Sequence, residues 1–212
     1  MALRTIVKIN KVNNLSDARY CAGMGVDLMG FCLDPTNEDV VSPEKFAEIT
    51  GWISGVRLVG EFYESSTVVI KELIEKYAID YIQINNPQDL EYMAQLKIPL
   101  ILDVDVSALD EPGQLRELIE EKENLVSYFL LSFQSQDDEK EVLATYASEI
   151  SALSDKYPLL LGFGLDAASI NTLLGETSIT GIALQGGHEI KPGYKDFDEL
   201  ADILETIELD DF

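Results

Sequence analysis

Short runs of β-branched and apolar residues alternate with longer segments of helical period along the whole chain. This alternation is typical of a parallel sheet whose strands are joined by crossover helices. The predicted strands are Thr5–Asn10, Leu28–Leu33, Arg57–Phe62, Tyr81–Ile84, Leu100–Val104, Tyr128–Ser132, Leu159–Gly162 and Gly181–Leu184. An open doubly wound sheet fits the same alternation, but eight units within 212 residues favour a closed (β/α)8 TIM barrel, with residues 1–212 as a single domain.

Several connecting segments carry helix start signals. Asn14 or Ser16 precedes the first predicted helix, Ser42-Pro43 the second, Asp166 the seventh and Asp196 the last. In the last helix, apolar residues recur at steps of three and four: Phe197, Leu200, Ile203, Leu204 and Ile207. This spacing predicts that one face of the helix is buried and that the acidic residues between them face solvent.

Charge and composition limit the partners of the chain. A formal charge of −24, from 39 acidic and 15 basic residues, repels nucleic acid and anionic membrane surfaces. The sequence starts directly in a strand pattern and contains no apolar run of membrane-spanning length, so we expect a cytoplasmic protein. Cys21 and Cys32 do not have metal-ligand spacing and are expected to be reduced thiols. No cofactor and no metal are predicted, while a homo-oligomer or a protein partner is compatible with the acidic surface.

Two glycine turns follow the last two predicted strands. Gly162-Phe163-Gly164 leads into the predicted seventh helix, and Gln185-Gly186-Gly187 closes the eighth strand. In barrels of this class the loops after strands seven and eight often form a phosphate site from backbone N–H groups. We therefore expect Gly162, Gly164, Gln185, Gly186 and Gly187 to bind a ligand. The alternative is that these glycines only form tight turns, which is their commoner use.

Together with other stretches of the sequence, these turns resemble those of the phosphoribosylanthranilate isomerase family, whose members are barrel enzymes that perform an Amadori rearrangement in tryptophan biosynthesis. The matching stretches are Val7–Ile9, Asn14–Ala18, Gly25–Phe31, Val41–Glu44, Val59-Gly60, Ile82–Ile84, Gly162–Leu165 and Lys191–Asp196. The resemblance implies a barrel with a sugar-phosphate pocket at the carboxyl ends of its strands. It also places Gln83, in the fourth strand, among the residues expected to contact a ligand.

The resemblance assigns two catalytic positions that differ in this chain. The family's general base is a cysteine ending strand one, where this sequence has Asn10, and its general acid is an aspartate ending strand six, where this sequence has Ser132. Neither an amide nor a serine hydroxyl exchanges protons readily near neutrality. The arginine expected after strand two is also missing from Leu33–Asp39, a loop that is acidic instead. The glycine-rich loop after strand six has become Gln134–Asp138.

Other titratable residues near strand ends are candidates for replacing that pair. Asp103 and Asp105 end strand five, Glu61 lies near the end of strand three, and Lys8 shares the inward face of strand one with Asn10. A lysine and a carboxylate facing one cavity exchange protons if burial moves their pKa values toward neutrality. The alternative is a barrel-filling Lys8 paired with an acidic neighbour.

Outside these groups, His188 is expected to be exposed, and three aromatic residues could stack on a planar ligand or pack: Tyr63, Tyr128 and Phe133.

Three hypotheses about function follow. The first, which we rank highest, is a divergent isomerase-like barrel that keeps a phosphate or sugar-phosphate pocket but lacks the standard acid and base. The second is an active phosphoribosylanthranilate isomerase, or a related sugar-phosphate enzyme, that uses Lys8, Asp103 or Glu61. The third is a noncatalytic partner protein. Function has to be argued from the site, because one barrel ancestry supports many activities.

Overall fold

The computed structural model describes residues 2–186, 189–191, 194–196 and 198–209. Eight parallel strands form a closed barrel in chain order, and the last pairs with the first. They are β1 (Ile6–Asn10), β2 (Leu28–Cys32), β3 (Arg57–Phe62), β4 (Tyr81–Ile84), β5 (Leu100–Asp105), β6 (Tyr128–Ser132), β7 (Leu159–Leu161) and β8 (Gly181–Gln185). The predicted (β/α)8 barrel is confirmed, and each predicted strand end lies within one residue of the observed one.

Helices cover the outside of the barrel. They are α1 (Leu15–Gly23), α2 (Pro43–Thr50), α3 (Thr67–Ile74), α4 (Leu90–Ala94), α5 (Pro112–Lys122), α6 (Glu139–Ser154), α7 (Ile170–Glu176) and α8 (Asp198–Thr206). Short 3₁₀ turns at Pro87–Asp89 and Val106–Ala108 follow β4 and β5. Asn14 accepts from the Asp17 N–H at the start of α1, and Ser42 accepts from the Lys45 N–H at the start of α2.

Two features of the later loops differ from the sequence prediction. Helix α7 begins at Ile170 rather than directly after Asp166. The Asp166 carboxylate instead accepts hydrogen bonds from the N–H and hydroxyl of Ser169, which hold an extra turn before the helix. Between β8 and α8, two short antiparallel strands, β9 (Glu189–Lys191) and β10 (Tyr194–Lys195), were not predicted.

The start of α8 agrees with the sequence, because the Asp196 carboxylate accepts from the Asp198 N–H. Leu200, Ile203, Leu204 and Ile207 are buried as expected, whereas Phe197 lies outside the described residues. The outer face of the barrel packs on the helices through the larger apolar cluster of the molecule.

Inside the barrel, side chains form two layers, because alternate residues of a strand point to the same face. The lower layer, near the amino ends of the strands, is apolar: Leu28, Val59, Tyr81, Ile101, Leu130, Leu160 and Ala183. Two residues further along each strand, the upper layer is polar or glycine: Gly30, Glu61, Gln83, Asp103, Ser132, Gly162 and Gln185. The polar layer therefore lies at the carboxyl ends, where ligands of such barrels bind.

Lys8 belongs to the lower layer by its register, opposite Leu28 and Ala183. Its side chain is fully buried and extends upward to the carboxylate of Glu61 in the polar layer. A long cationic side chain can thus fill apolar space while its charged end meets a partner.

Among the described residues, no helix is both long and apolar enough to cross a membrane. Cys21 and Cys32 are buried free thiols. Burial raises the pKa of Cys21 to about 12 and that of Cys32 to about 11, so both stay protonated at neutral pH.

Candidate active site

A cavity of about 450 Å³ opens at the carboxyl ends of the barrel strands. Its lining residues are mainly polar: Asn10, Lys11, Asn37, Tyr63, Glu64, Gln83, Asn85, Asp103, Leu130, Ser132, Phe133, Gln134, Gly162 and Gln185. This volume is enough for a small metabolite. The many amide side chains supply both donors and acceptors for hydrogen bonds.

Beneath the cavity lies a buried ion pair. Lys8 Nζ is 2.5 Å from Glu61 Oε1, and both side chains are completely buried. Lys8 also donates to Asn10 Oδ1. The second Glu61 oxygen accepts from the Tyr63 hydroxyl at 3.0 Å and from the Lys11 N–H at 3.1 Å. Burial, followed by the Glu61 charge, raises the pKa of Tyr63, which keeps its hydroxyl a donor.

The ion pair has room because β2 carries a glycine beside it. A Cβ atom at Gly30 would lie 1.8 Å from Glu61 Oε1 and 2.9 Å from Lys8 Nζ. No side chain can be added at Gly30 without displacing the pair.

On the other side of the barrel, Gln83 and Asp103 are joined across β4 and β5. Gln83 Nε2 donates to Asp103 Oδ2 at 3.1 Å. Burial raises the pKa of Asp103 to about 6, and the charges of Glu61 and Asp105 add to that rise, although Ser132 and Lys8 act to lower it. The Ser132 hydroxyl lies near the Asp103 carboxyl but outside hydrogen-bond geometry. The net effect is a pKa for Asp103 well above its usual range.

Asp105, on the same strand, has a different role. Its Oδ1 accepts from the Ser107 N–H at 3.0 Å and from the Gln134 N–H at 3.2 Å. These bonds connect the loops that follow β5 and β6, and the carboxylate is satisfied by backbone donors.

The late glycine turns have backbone donors that are already occupied. The Gly162 N–H donates to the Leu131 carbonyl at 2.8 Å, as part of the strand pairing. The Gly164 N–H donates to the Glu139 carboxylate at 2.8 Å, and its backbone has φ of +66°, which favours glycine. An anion at either N–H would have to replace an existing acceptor.

Gly162 and Gln185 line the cavity, whereas Gly164 is buried against the start of α6. Gly186 is buried at the end of β8, and both Gly187 and His188 lie outside the described residues. The Lys140 ammonium, 2.5 Å from Asp166 Oδ2, adds an exposed ion pair outside the cavity. Asp166 therefore holds the turn before α7 through its bonds to Ser169 and is not the N-cap of that helix.

The loop after β2 is less acidic toward the cavity than its sequence suggests. Asp34 is completely buried, and its carboxylate accepts from three successive backbone N–H groups, those of Tyr63, Glu64 and Ser65. It thereby fixes the loop after β3. Sequence reasoning missed this role, for which the only local signal is an acidic residue directly after a buried strand.

The aromatic residues are divided between the two ends of the barrel. Tyr63 and Phe133 line the cavity, and the Lys11 ammonium lies 5.3 Å from the centre of the Tyr63 ring. For Tyr128 the sequence left ligand stacking and packing open; it begins β6 at the amino end and packs against Tyr81. Within the described residues, no cluster of three or more His, Cys, Asp or Glu side chains is arranged to hold a metal ion.

Comparison with known proteins shows to which family this barrel belongs. Residues 7–206 match the model of the N-(5'-phosphoribosyl)anthranilate (PRA) isomerase family. The chain belongs to the PRA isomerase family. A similar relative, the N-(5'-phosphoribosyl)anthranilate isomerase of Geotalea uraniireducens, is 23% identical over 197 residues, which cover 91% of this chain and 93% of the relative.

Solved structures of PRA isomerases share the fold. Phosphoribosyl anthranilate isomerase from Thermotoga maritima matches with a TM-score of 0.77 and 21% identity, covering 96% of this chain and 98% of that one. A PRA isomerase in complex with reduced 1-(o-carboxyphenylamino)-1-deoxyribulose 5-phosphate matches with a TM-score of 0.73 and 21% identity over the same shares. The family resemblance read from the sequence is thus confirmed.

In this PRA isomerase family member, the two positions assigned to base and acid by resemblance both face the cavity. Asn10 and Ser132 line it from β1 and β6, with Gln83 and Asp103 between them along the barrel wall. Lys8 and Glu61 lie directly below. The structure therefore brings six of the predicted site residues to the cavity lining: Asn10, Gln83, Asp103, Ser132, Gly162 and Gln185. The described glycines Gly164 and Gly186 are buried and do not line it.

Proposed function

We propose that this PRA isomerase family member binds a small hydroxyl-rich ligand at its strand ends without the family's standard Amadori acid–base pair. One observation carries the proposal: the cavity presents an amide, Asn10, and a hydroxyl, Ser132, where the resemblance assigns the base and the acid. Neither group titrates near neutrality. A missing general acid or base costs roughly 10²–10⁴ in rate.

The buried ion pair does not supply a substitute base. Lys8 Nζ is held by Glu61 and by Asn10, its side chain is completely buried, and Lys8 is not among the described lining residues of the cavity. The Glu61 carboxylate accepts from Lys8, Tyr63 and the Lys11 N–H, which leaves it little capacity to take a proton from a ligand. We assign both residues to the support of the cavity floor.

Among the lining residues that the structure describes, Lys11 is the cation that could meet an anionic ligand. None of the four arginines of the chain lies among the lining residues that the structure describes. The related complex holds reduced 1-(o-carboxyphenylamino)-1-deoxyribulose 5-phosphate, which has a carboxyl group and a phosphate. In this chain Glu64 and Asp103 line the cavity, and like charges oppose such a ligand.

Phosphate binding remains a prediction. The Gly162 and Gly164 N–H groups already have acceptors, so a phosphate at this loop would have to displace Glu139 from Gly164. Comparing the affinities of ribose and ribose 5-phosphate by calorimetry tests the prediction directly. Tighter binding of the phosphate ester would support a phosphate site, and equal or weaker binding would count against it.

A second candidate function has one specific observation in its favour. Asp103 lies on the strand next to Ser132, and its pKa of about 6 suits a general acid or base near neutral pH. The alternative is therefore an active isomerase, or a related sugar-phosphate enzyme, in which Asp103 has taken over proton transfer.

The loss of anthranilate fluorescence when freshly made PRA meets the purified protein separates the two functions. We expect no turnover above a no-protein control, and none that depends on Asp103. An Asn10→Cys/Ser132→Asp double variant restores both assigned groups, and turnover gained by it alone would show that the cavity still accepts the substrate. Turnover by the unaltered protein that is abolished in Asp103→Asn would refute the proposal and favour the alternative.

A further inference from the structure

Three buried polar atoms in the wall of the cavity have no hydrogen-bond partner in the described part of the chain. They are Gln83 Oε1, Asp103 Oδ1 and Ser132 Oγ. Gln83 is 1% exposed and Asp103 is 7% exposed. Leaving a buried polar atom unpaired is unfavourable, so folded proteins rarely keep three together without a use.

These atoms belong to neighbouring strands and to the same layer. Gln83, Asp103 and Ser132 follow one another on β4, β5 and β6, and all three line the cavity. The Gln83 amide nitrogen is fixed by its bond to Asp103 Oδ2, which leaves the amide oxygen as the unpaired atom. Two of the three unpaired atoms are acceptors when Asp103 is ionised, and the serine hydroxyl can also accept.

A complementary ligand group therefore has to donate two or three hydrogen bonds. A primary ammonium group has three donors and no acceptor. A hydroxyl group has one donor, and a phosphate or carboxylate has none when ionised. The count of donors thus favours an amine over the other common groups of small metabolites.

The charged groups around Asp103 also favour an amine. The cation facing Asp103 from below, Lys8, is paired with Glu61, and the remaining titratable neighbours are the Tyr63 hydroxyl and the Asp105 carboxylate. At the rim, Lys11 Nζ lies 4.0 Å from Asp39, while Glu64 is exposed. The Asp103 carboxylate is thus the buried charge of this wall that has no cationic partner among the described residues.

We propose that Gln83, Asp103 and Ser132 form an ammonium-binding subsite, so that the cavity takes a hydroxylated primary amine of the amino-sugar or amino-alditol class. This inference rests on the proposed function, because it assumes that the cavity is a ligand site. The amide side chains of Asn37, Asn85 and Gln134 line the same cavity and can pair with the hydroxyl groups of such a ligand.

Calorimetric titration with matched amines and neutral analogues tests the subsite. The pairs are glucamine against sorbitol, and glucosamine against glucose, at pH 7 and constant salt. A charge-assisted contact is worth about 1.5–3 kcal/mol, so each amine should bind about 10–100-fold more tightly than its neutral partner. Lowering the pH to 5 should weaken amine binding about 10-fold, because most of Asp103 is then protonated.

Variants show whether the preference comes from this subsite. Asp103→Asn should abolish the preference for the amine, and Ser132→Ala should reduce it by a smaller factor. Glu121→Gln removes one exposed charge far from the cavity and should change nothing. Equal affinity for amines and neutral analogues, or no binding of either amine at millimolar concentration, would overturn the inference. Neither result decides the proposed function, which the PRA turnover assay tests separately.

Discussion

Replacing Asp103 by asparagine is expected to stabilise the folded protein at neutral pH. Asp103 is 7% exposed, and burial raises its pKa from the ordinary 3.8 to about 6. A rise of about two pH units means that folding disfavours the ionised carboxylate by ~3 kcal/mol. Asparagine keeps an oxygen for the Gln83 amide and removes the charge. We expect a gain of ~1–3 kcal/mol in the free energy of unfolding, because burying the new amide N–H groups offsets part of the benefit.

The sign of the pH dependence follows from the same values. The folded protein holds the Asp103 proton up to about pH 6, whereas the unfolded chain releases it near 3.8. Between these values the folded state binds more protons, so the stability of the unaltered protein falls as pH rises through this window. The stability of the Asp103→Asn variant should not fall in this pH window. Its advantage should therefore be largest above pH 7 and about half as large at pH 5.

Urea unfolding at pH 5 and pH 7.5 measures both quantities. Asp105→Asn, on the same strand, is the matched control, because the Asp105 carboxylate is already satisfied by the N–H groups of Ser107 and Gln134. It should bring no gain at either pH. An Asp103→Asn protein less stable than the unaltered chain at pH 7.5, or an advantage independent of pH, would refute the reasoning.

Two further predictions concern the buried ion pair. Lys8→Met should lower the free energy of unfolding by ~3–5 kcal/mol, because it leaves Glu61 buried without its partner. Adding Glu61→Gln should recover part of this loss in a double-mutant cycle measured by urea unfolding. Additive losses would contradict a direct pairing of the two residues. Gly30→Ala should lower the free energy of unfolding by ~3 kcal/mol in thermal unfolding, since its Cβ would lie 1.8 Å from Glu61 Oε1. Gly23→Ala, with no atom within 4 Å of the new Cβ, should be neutral or stabilising by up to ~1 kcal/mol. Equal effects at the two glycines would argue against the steric explanation.

The sequence was informative where a property repeats along the chain. The alternation of strand and helix patterns predicted the barrel, and the period of two along each strand placed Lys8 and Asn10 on the inward face, as the register confirms. Strand-end position indicated Asp103, and the family resemblance added Gln83 and Ser132; all three line one cavity. Such features depend on local spacing, which a single sequence contains.

Features that depend on contacts between distant loops could not be predicted in this way. Asp34 looked like part of an acidic rim, yet it turns inward to three backbone N–H groups about thirty residues later in the chain. Gly164 looked like a phosphate donor, but its N–H meets Glu139 from the preceding helix. In both cases a carboxylate satisfies backbone donors, and composition alone does not distinguish this use from a charged surface.

The charge of the cavity is set by few groups despite the charge of −24 on the whole chain. At physiological ionic strength, exposed charges beyond about 8 Å are largely screened, so most of the acidic surface has little effect on a bound ligand. Lys8 and Glu61 neutralise each other in the floor, which leaves Asp103 as the buried charge in the wall. A single proton on Asp103, exchanged near pH 6, therefore changes the wall from anionic to neutral. Ligand preference in this barrel should accordingly follow the protonation of one side chain rather than the acidity of the surface.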